Sequence, residues 1–227
     1  MIDIVGVVKI DYSNPTRTRY HHACLKSLEF LKGCGEVIIY SGDVSDYGEA
    51  YMTLLEQCKQ PFVLNYIEDA FMVLDDKRHL EGMLHAMNRF DCEVMRASFF
   101  DIETESVKNV SSKIVTEYGT AFRMDQKAYN QFQSAYGYRY MIGVNFITTR
   151  EFALRFWSRK IKATRPHPFE MARYNPEWVH GCFIPATEVL ASIDDSHGEE
   201  NSCLLNRHEP KFERIYDSLI QNTTNNG

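Results

Sequence analysis

The sequence predicts an α/β fold, a Rossmann-like and mostly parallel central sheet flanked by helices, and three observations predict it. Short apolar runs alternate with segments of helical periodicity through about the first hundred residues, in the order β-α-β-α-β-α-β. The segments between the runs have the length of a helix, which parallel neighbours need for their crossovers. Acidic residues gather where the runs end, at the edge where open parallel sheets bind ligands.

The first apolar run covers residues 2–10, and "RYHHACLKSLEFL" follows it with Tyr20, Cys24, Leu28 and Leu31 on one helical face. A second run at 37–40 leads to "YGEAYMTLLEQCK", where Tyr51, Leu54, Leu55 and Cys58 recur at i, i+3, i+4 and i+7. The third run is 62–67; Leu80, Leu84 and Met87 then line a helix, and a strand resumes at 93–97. From about residue 100 the pattern loosens into "KIVTEY", the aromatic "AYNQFQSAYGYRYMIGVNF", a helix around "TREFALRFW" and the loop "KATRPHPFEMARYNPEW". Trp157 follows the apolar pattern of its helix and is expected in the core. A last helix, "PKFERIYDSLIQ", carries Phe212, Ile215, Tyr216 and Leu219 before the polar "NTTNNG". These readings predict one domain over 1–220, with halves 1–100 and 101–220, and a tail or a linker to a further domain at 221–227.

With 227 residues, 44% of them hydrophobic and 13% aromatic, the chain can bury a large core. Its formal net charge of -6 argues against nucleic acid as the main partner, because a phosphate backbone calls for a concentrated basic surface. Cys24, Cys34, Cys58, Cys92, Cys182 and Cys203 show no C-x-x-C spacing and are too sparse to frame a small secreted domain, so they read as reduced thiols. The opening "MIDIVGVVKIDYS" has neither a basic leader nor a small-residue cleavage site, and no later stretch approaches the apolar length of a membrane span. No transmembrane segment and a cytoplasmic or cytosol-facing location are expected. The N-x-[ST] triplets at Asn109 and Asn222 are too short a pattern to count without a secretory signal.

The acids carry the chemistry. The first three runs end in "IDYS" with Asp11, "YSGDVSD" with Asp43 and "YIEDA" with Glu68 and Asp69. Taken singly, Asp11 and Asp43 suit a turn or a helix N-cap as well as a ligand. Taken together, carboxylates at a sheet's ligand-binding edge repel one another unless a cation sits among them, and oxygen ligands suit Mg2+ or Mn2+. Neither G-x-G-x-x-G after the first strand nor G-x-x-x-x-G-K-[ST] is present, so a dinucleotide cofactor and a P-loop nucleotide are both unsupported. A nucleoside diphosphate held through a metal remains.

In that order of motifs the sequence resembles the GT-A glycosyltransferases, in particular the family 2-like group whose metal motif is hydrophobic-E-D-D-aromatic at the end of a strand. "VGVVKIDYSNPTRTRYHHACLKSLEFL" resembles the first strand, donor loop and helix, and "GEVIIYSGDVSD" the second strand with its nucleotide-contacting acid. "YIEDAF" stands at the metal motif, "GVNFITTREF" resembles the N-P-x-x-x-R-x-F segment of the acceptor half, and "ASIDDSHGEENS" resembles the terminal H-x-G-x-x-x-S. The third acid of the metal motif is Ala70 here, so direct ligation falls to Asp69, Glu68 or a carboxylate from elsewhere such as Asp75 or Asp76. The acceptor-half proline is likewise replaced, by Phe146 after Asn145.

The resemblance implies a GT-A-like fold with a nucleotide-sugar-binding half fused to an acceptor-binding half. It also implies transfer of a sugar from a UDP- or GDP-linked donor to a hydroxyl of a glycan or glycoconjugate acceptor, assisted by Mn2+ or Mg2+. Asp11, Tyr12, Arg17, Asp43 and Glu68 would bind the donor, with Tyr12 near its base, Asp43 on the base edge and Arg17 on a phosphate. Arg17 and Arg19 read equally as solvated loop charges. Asp69 and His197 would hold the metal, His197 alternatively donating to the diphosphate. Glu170 is the candidate general base, with Glu177 and Asp101 behind it and a plain surface role open. Trp178 is the better acceptor contact of the two tryptophans. A metal-dependent phosphohydrolase or nucleotidyltransferase would use the same acids, and a non-catalytic module would bind the nucleotide sugar without consuming it.

Overall fold

The structure is a computed structural model, and it describes residues 1–8, 15–41, 46–66, 70–72, 77–97, 112–127, 130, 146–158, 180–186 and 190–192. Strand β1 is Asp3–Val8 and helix α1 Pro15–Ser27, continued by a 3-10 turn at Leu28–Leu31. Next come β2 (Val37–Ser41), α2 (Tyr47–Gln57), β3 (Phe62–Asn65) and the short β4 (Ala70–Met72). Helix α3 (Arg78–Phe90) and β5 (Val94–Ala97) follow, then β6 (Lys113–Thr116) and β7 (Gly119–Met124). The last described elements are β8 (Phe146–Thr149), α4 (Arg150–Trp157), β9 (His180–Pro185) and β10 (Leu190–Ser192).

Local chemistry explains where the helices start and stop. Pro15 opens α1, where its missing N–H would have had no helical partner. Arg17 and Arg19 are consequently helical, not loop residues. Asp46 caps α2, accepting from the backbone N–H of Gly48 at 2.9 Å and Glu49 at 3.3 Å, and Thr149 Oγ1 caps α4 by accepting from Phe152 N–H at 3.1 Å. Helix α3 ends on Asp91 in the left-handed region at φ 52°.

The main sheet has the order β2-β1-β3-β8-β5-β9-β7-β6. Its pairings make β1, β2, β3, β5, β6 and β9 run one way and β7 and β8 the other. The α/β class and helix-flanked sheet are as the sequence predicts, and the strands are mostly codirectional, yet β7 and β8 make the sheet mixed. Strand β8, from the second half of the chain, lies between β3 and β5. Phe146 pairs there with Asn65 on one side and Arg96 on the other, and a proline suits such a central position poorly because it has no N–H for a ladder. Strands β7 and β9 of the main sheet escaped the sequence reading, as did two short elements, β4 and its antiparallel partner β10, which form a separate two-stranded sheet.

Alternation along the strands sends side chains into two cores. Ile4, Leu64, Met95, Ile147 and Phe183 face Cys24, Leu28, Leu31, Leu80, Met83 and Met87 of α1, the 3-10 turn and α3. On the opposite face, Val5, Val63, Val94, Phe146 and Cys182 share a cluster with Tyr51, Leu54, Leu55, Phe152, Phe156 and Trp157 of α2 and α4. Trp157 is buried as expected and stacks on Tyr51 with ring centroids 4.8 Å apart. Cys24, Cys34, Cys58, Cys92 and Cys182 are free thiols, and burial pushes Cys58 up to about 11 and Cys92 up to about 12, away from thiolate reactivity. Cys203 and the expected last helix lie outside the described residues. No helix among the described residues is long and apolar enough to cross a membrane.

Candidate functional site

Strands β1, β2 and β3 are parallel, with Val8 opposite Ser41 and Val5 opposite Asn65, so their carboxyl ends share one edge of the sheet. In sequence, Asp11 and Tyr12 follow the end of β1, Asp43 follows β2, and Glu68 and Asp69 separate β3 from β4. All five lie outside the described residues, as do Glu170, His197, Asp75, Asp76, Asp101, Glu177 and Trp178. Arg17 is placed only as a backbone position in the first turn of α1. The N-cap role left open for Asp43 belongs instead to Asp46.

The end of β3 is tightly held. Tyr66 N–H donates to Val5 carbonyl oxygen at 2.7 Å, and Tyr51 Oη donates to Tyr66 carbonyl oxygen at 3.3 Å. A Cβ at Gly6 would stand 2.9 Å from that same carbonyl oxygen, so glycine there lets β3 close against β1. Asn65 is fully buried, its Nδ2 donating to the carbonyl oxygens of Val63 at 3.3 Å and Phe146 at 3.4 Å and to Thr148 Oγ1 at 3.2 Å. Asn65 and Tyr66, the last described residues ahead of Glu68 and Asp69 in sequence, are therefore firmly held.

In the β4–β10 pair Ala70 lies opposite Ser192, Phe71 opposite Ala191 and Met72 opposite Leu190. Because the pairing is antiparallel, the start of β4 stands beside the end of β10. In sequence, Glu68 and Asp69 precede Ala70 of β4, and Asp194, Asp195 and His197 follow Ser192 of β10. Helix α1 packs against β4 and so lies alongside this two-stranded ribbon.

The opposite edge holds a carboxylate that sequence reasoning missed. Asp3, 1% exposed, accepts from three backbone N–H groups: Glu36 at 3.0 Å, Lys59 at 2.7 Å and Gln60 at 2.9 Å. Burial pushes its carboxyl up, but the three N–H bonds and the nearby Lys59 ammonium together outweigh this and hold it below the ordinary aspartate value. Asp3 starts β1, far from the carboxyl ends, and ties β1 to the starts of β2 and β3. Among the described residues no group of three or more His, Cys, Asp or Glu could hold a metal.

No protein-family model matches the sequence, and no curated protein matches it. Among solved structures the chain is similar to S. aureus TarS 1-349, at 10% identity and a TM-score of 0.48, covering 84% of this chain and 60% of that one. It is also similar to a CMP:2-keto-3-deoxy-manno-octonic acid synthetase complexed with CTP, at 12% identity and a TM-score of 0.41, covering 83% of this chain and 92% of that one. A third similarity is to HddC from Yersinia pseudotuberculosis complexed with GMP-PN, at 10% identity and a TM-score of 0.44, covering 89% of this chain and 97% of that one.

Proposed function

We propose that this chain is a GT-A-like glycosyltransferase that moves a sugar from a UDP- or GDP-linked donor to a hydroxyl of a glycan or glycoconjugate acceptor. The observation that supports the reading is the parallel arrangement of β1, β2 and β3, whose carboxyl ends share one edge of the sheet. In sequence, Asp11, Asp43, Glu68 and Asp69 follow those three strands, and Ala70, next after Asp69, pairs with Ser192, which precedes His197 in the chain.

Asp69 and His197, with Glu68 beside Asp69, would hold a divalent Mn2+ or Mg2+; two carboxylates and an imidazole are ligands that Mn2+ in particular accepts. Such an ion, when bound, supplies positive charge to the leaving diphosphate. Asp11, Tyr12 and Asp43 hold the nucleoside, and Arg17, in the first turn of α1, offers its planar fork to a phosphate. Glu170 takes the proton from the acceptor hydroxyl, and that oxygen attacks the anomeric carbon as the bond to the nucleoside diphosphate breaks. The proton ends on Glu170 and the electron pair on the departing phosphate oxygen.

The test is a panel of nucleotide sugars with and without Mn2+, scored by thermal shift and by nucleoside diphosphate release, on the parent and on Asp69→Asn. The parent should be stabilised by one donor in the presence of metal. Asp69→Asn should fold normally and lose both the metal-dependent stabilisation and turnover. Unchanged turnover in Asp69→Asn refutes the assignment of Asp69, and release that needs no sugar acceptor and proceeds on simple phosphoesters would move the protein to the phosphohydrolases.

A further inference from the structure

The side chain that closes β3 holds an acceptor that no group of the protein uses. Asn65 is fully buried, and alternation along β3 puts it on the face of Val63, in the layer packed against α2 and α4. Its Nδ2 has three acceptors, the carbonyl oxygens of Val63 at 3.3 Å and Phe146 at 3.4 Å and Thr148 Oγ1 at 3.2 Å, while its Oδ1 has no hydrogen-bond partner in the protein. Exchanging the two ends of the amide does not cure this, because Oδ1 would then face two carbonyl oxygens. The neighbours therefore fix which end is nitrogen. Two N–H protons are shared among three acceptors, and all three contacts are longer than the ordinary ~2.9–3.0 Å. Thr148, also fully buried, accepts through Oγ1 and keeps its own hydroxyl proton to give.

A buried acceptor without a donor is costly, and leucine would fill the same strand position without that cost. An oxygen wholly enclosed by the chain is served by the smallest donor there is, a water molecule, which protein interiors hold where it meets two or more polar partners. We infer that Asn65 and Thr148 hold an internal water between β3 and β8. The water donates to Asn65 Oδ1 and accepts from the Thr148 hydroxyl, while Asn65 Nδ2 donates to Thr148 Oγ1. The three bonds close a ring that uses both the vacant acceptor and the spare hydroxyl proton. Asn65 and Thr148 are 83 residues apart, one in each half of the chain, so the ring adds a polar tie across the β3–β8 pairing. That tie sits at the last residue of β3, three residues ahead of Glu68 in sequence, and it stands whether or not the nucleotide-sugar reading does.

Two measurements on the parent, Asn65→Leu, Thr148→Val and Thr148→Ser test this. Crystal structures locate ordered waters, and oxygen-17 relaxation dispersion of the solvent counts long-lived internal waters in solution; melting temperature and near-UV circular dichroism report whether each variant folds. The parent should show a water within about 3.2 Å of both Asn65 Oδ1 and Thr148 Oγ1. Asn65→Leu and Thr148→Val, which keep the side-chain size and remove the acceptor or the hydroxyl, should each lose that water and count one fewer than the parent. Thr148→Ser, which keeps the hydroxyl, should retain it. Should Asn65→Leu not fold, the contrast of Thr148→Val with Thr148→Ser decides alone. A parent crystal structure with no water at Asn65 Oδ1, or with a protein donor there, overturns the inference. Equal counts in the parent and Thr148→Val overturn it as well, and so does a loss in Thr148→Ser as complete as that in Thr148→Val.

Discussion

Replacing Asp3 by asparagine should destabilise the fold without touching the site. The wild-type carboxylate serves three backbone donors, Glu36 N–H through Oδ1 and the N–H groups of Lys59 and Gln60 through Oδ2. An amide has one acceptor oxygen, so Asp3→Asn leaves one or two of those N–H groups facing an NH2 group in a position only 1% exposed. At roughly 1–3 kcal/mol for each buried donor left without an acceptor, the loss should be about 2–4 kcal/mol. With a urea slope of about 2 kcal/mol/M, the unfolding midpoint should fall by about 1–2 M. The pH dependence follows from the direction of the shift: the folded carboxyl is held below its ordinary value, so its stabilisation is complete above the unfolded aspartate range and is lost as pH falls through the folded value. Urea unfolding followed by far-UV circular dichroism between pH 7 and acid should show the wild-type advantage shrinking on acidification, because a protonated aspartate resembles asparagine. Equal midpoints at neutral pH, or a difference that does not change with pH, would refute the three-donor account.

The ribbon register can be checked covalently: Ala70→Cys with Ser192→Cys should form a disulfide on mild oxidation, read by peptide mass mapping, whereas Ala70→Cys with Leu190→Cys should not, since Leu190 lies opposite Met72. The reverse pattern would overturn that register. Asp43→Ala should weaken the preferred nucleotide sugar and narrow the difference between bases while leaving α2 intact, because Asp46 and not Asp43 is the cap; equal effects on all nucleotides in a binding panel would make Asp43 a turn residue. Glu170→Gln should lower acceptor-dependent transfer by roughly 100-fold or more with donor affinity unchanged, the usual scale of general-base catalysis. Transfer at the parent rate would remove Glu170, and a loss confined to Glu177→Gln would shift the role there.

The elements that depend on local periodicity were legible in the chain. Tyr51, Leu54, Leu55 and Cys58 recur at helical spacing and are buried together, and the apolar runs at β1, β2, β3 and β5 became strands. An amphipathic period is a property of neighbouring residues, so it survives without tertiary context. That the first three strands end on one edge was legible for the same reason, since codirectional strands separated by helices must do so. Tertiary structure decided what depends on partners distant in sequence. Strands of three residues, such as β4 and β10, carry no period of their own, and only tertiary pairing sets Ala70 opposite Ser192 and Met72 opposite Leu190. Asp3 looked like one more acid in an apolar run; its role exists because Glu36, Lys59 and Gln60 bring their N–H groups to it from across the fold. Arg96 was likewise one charge in a short strand until β8 and β9 closed on both sides of it, because burial is set by packing against the rest of the chain and not by any feature of the residue's own neighbours in sequence.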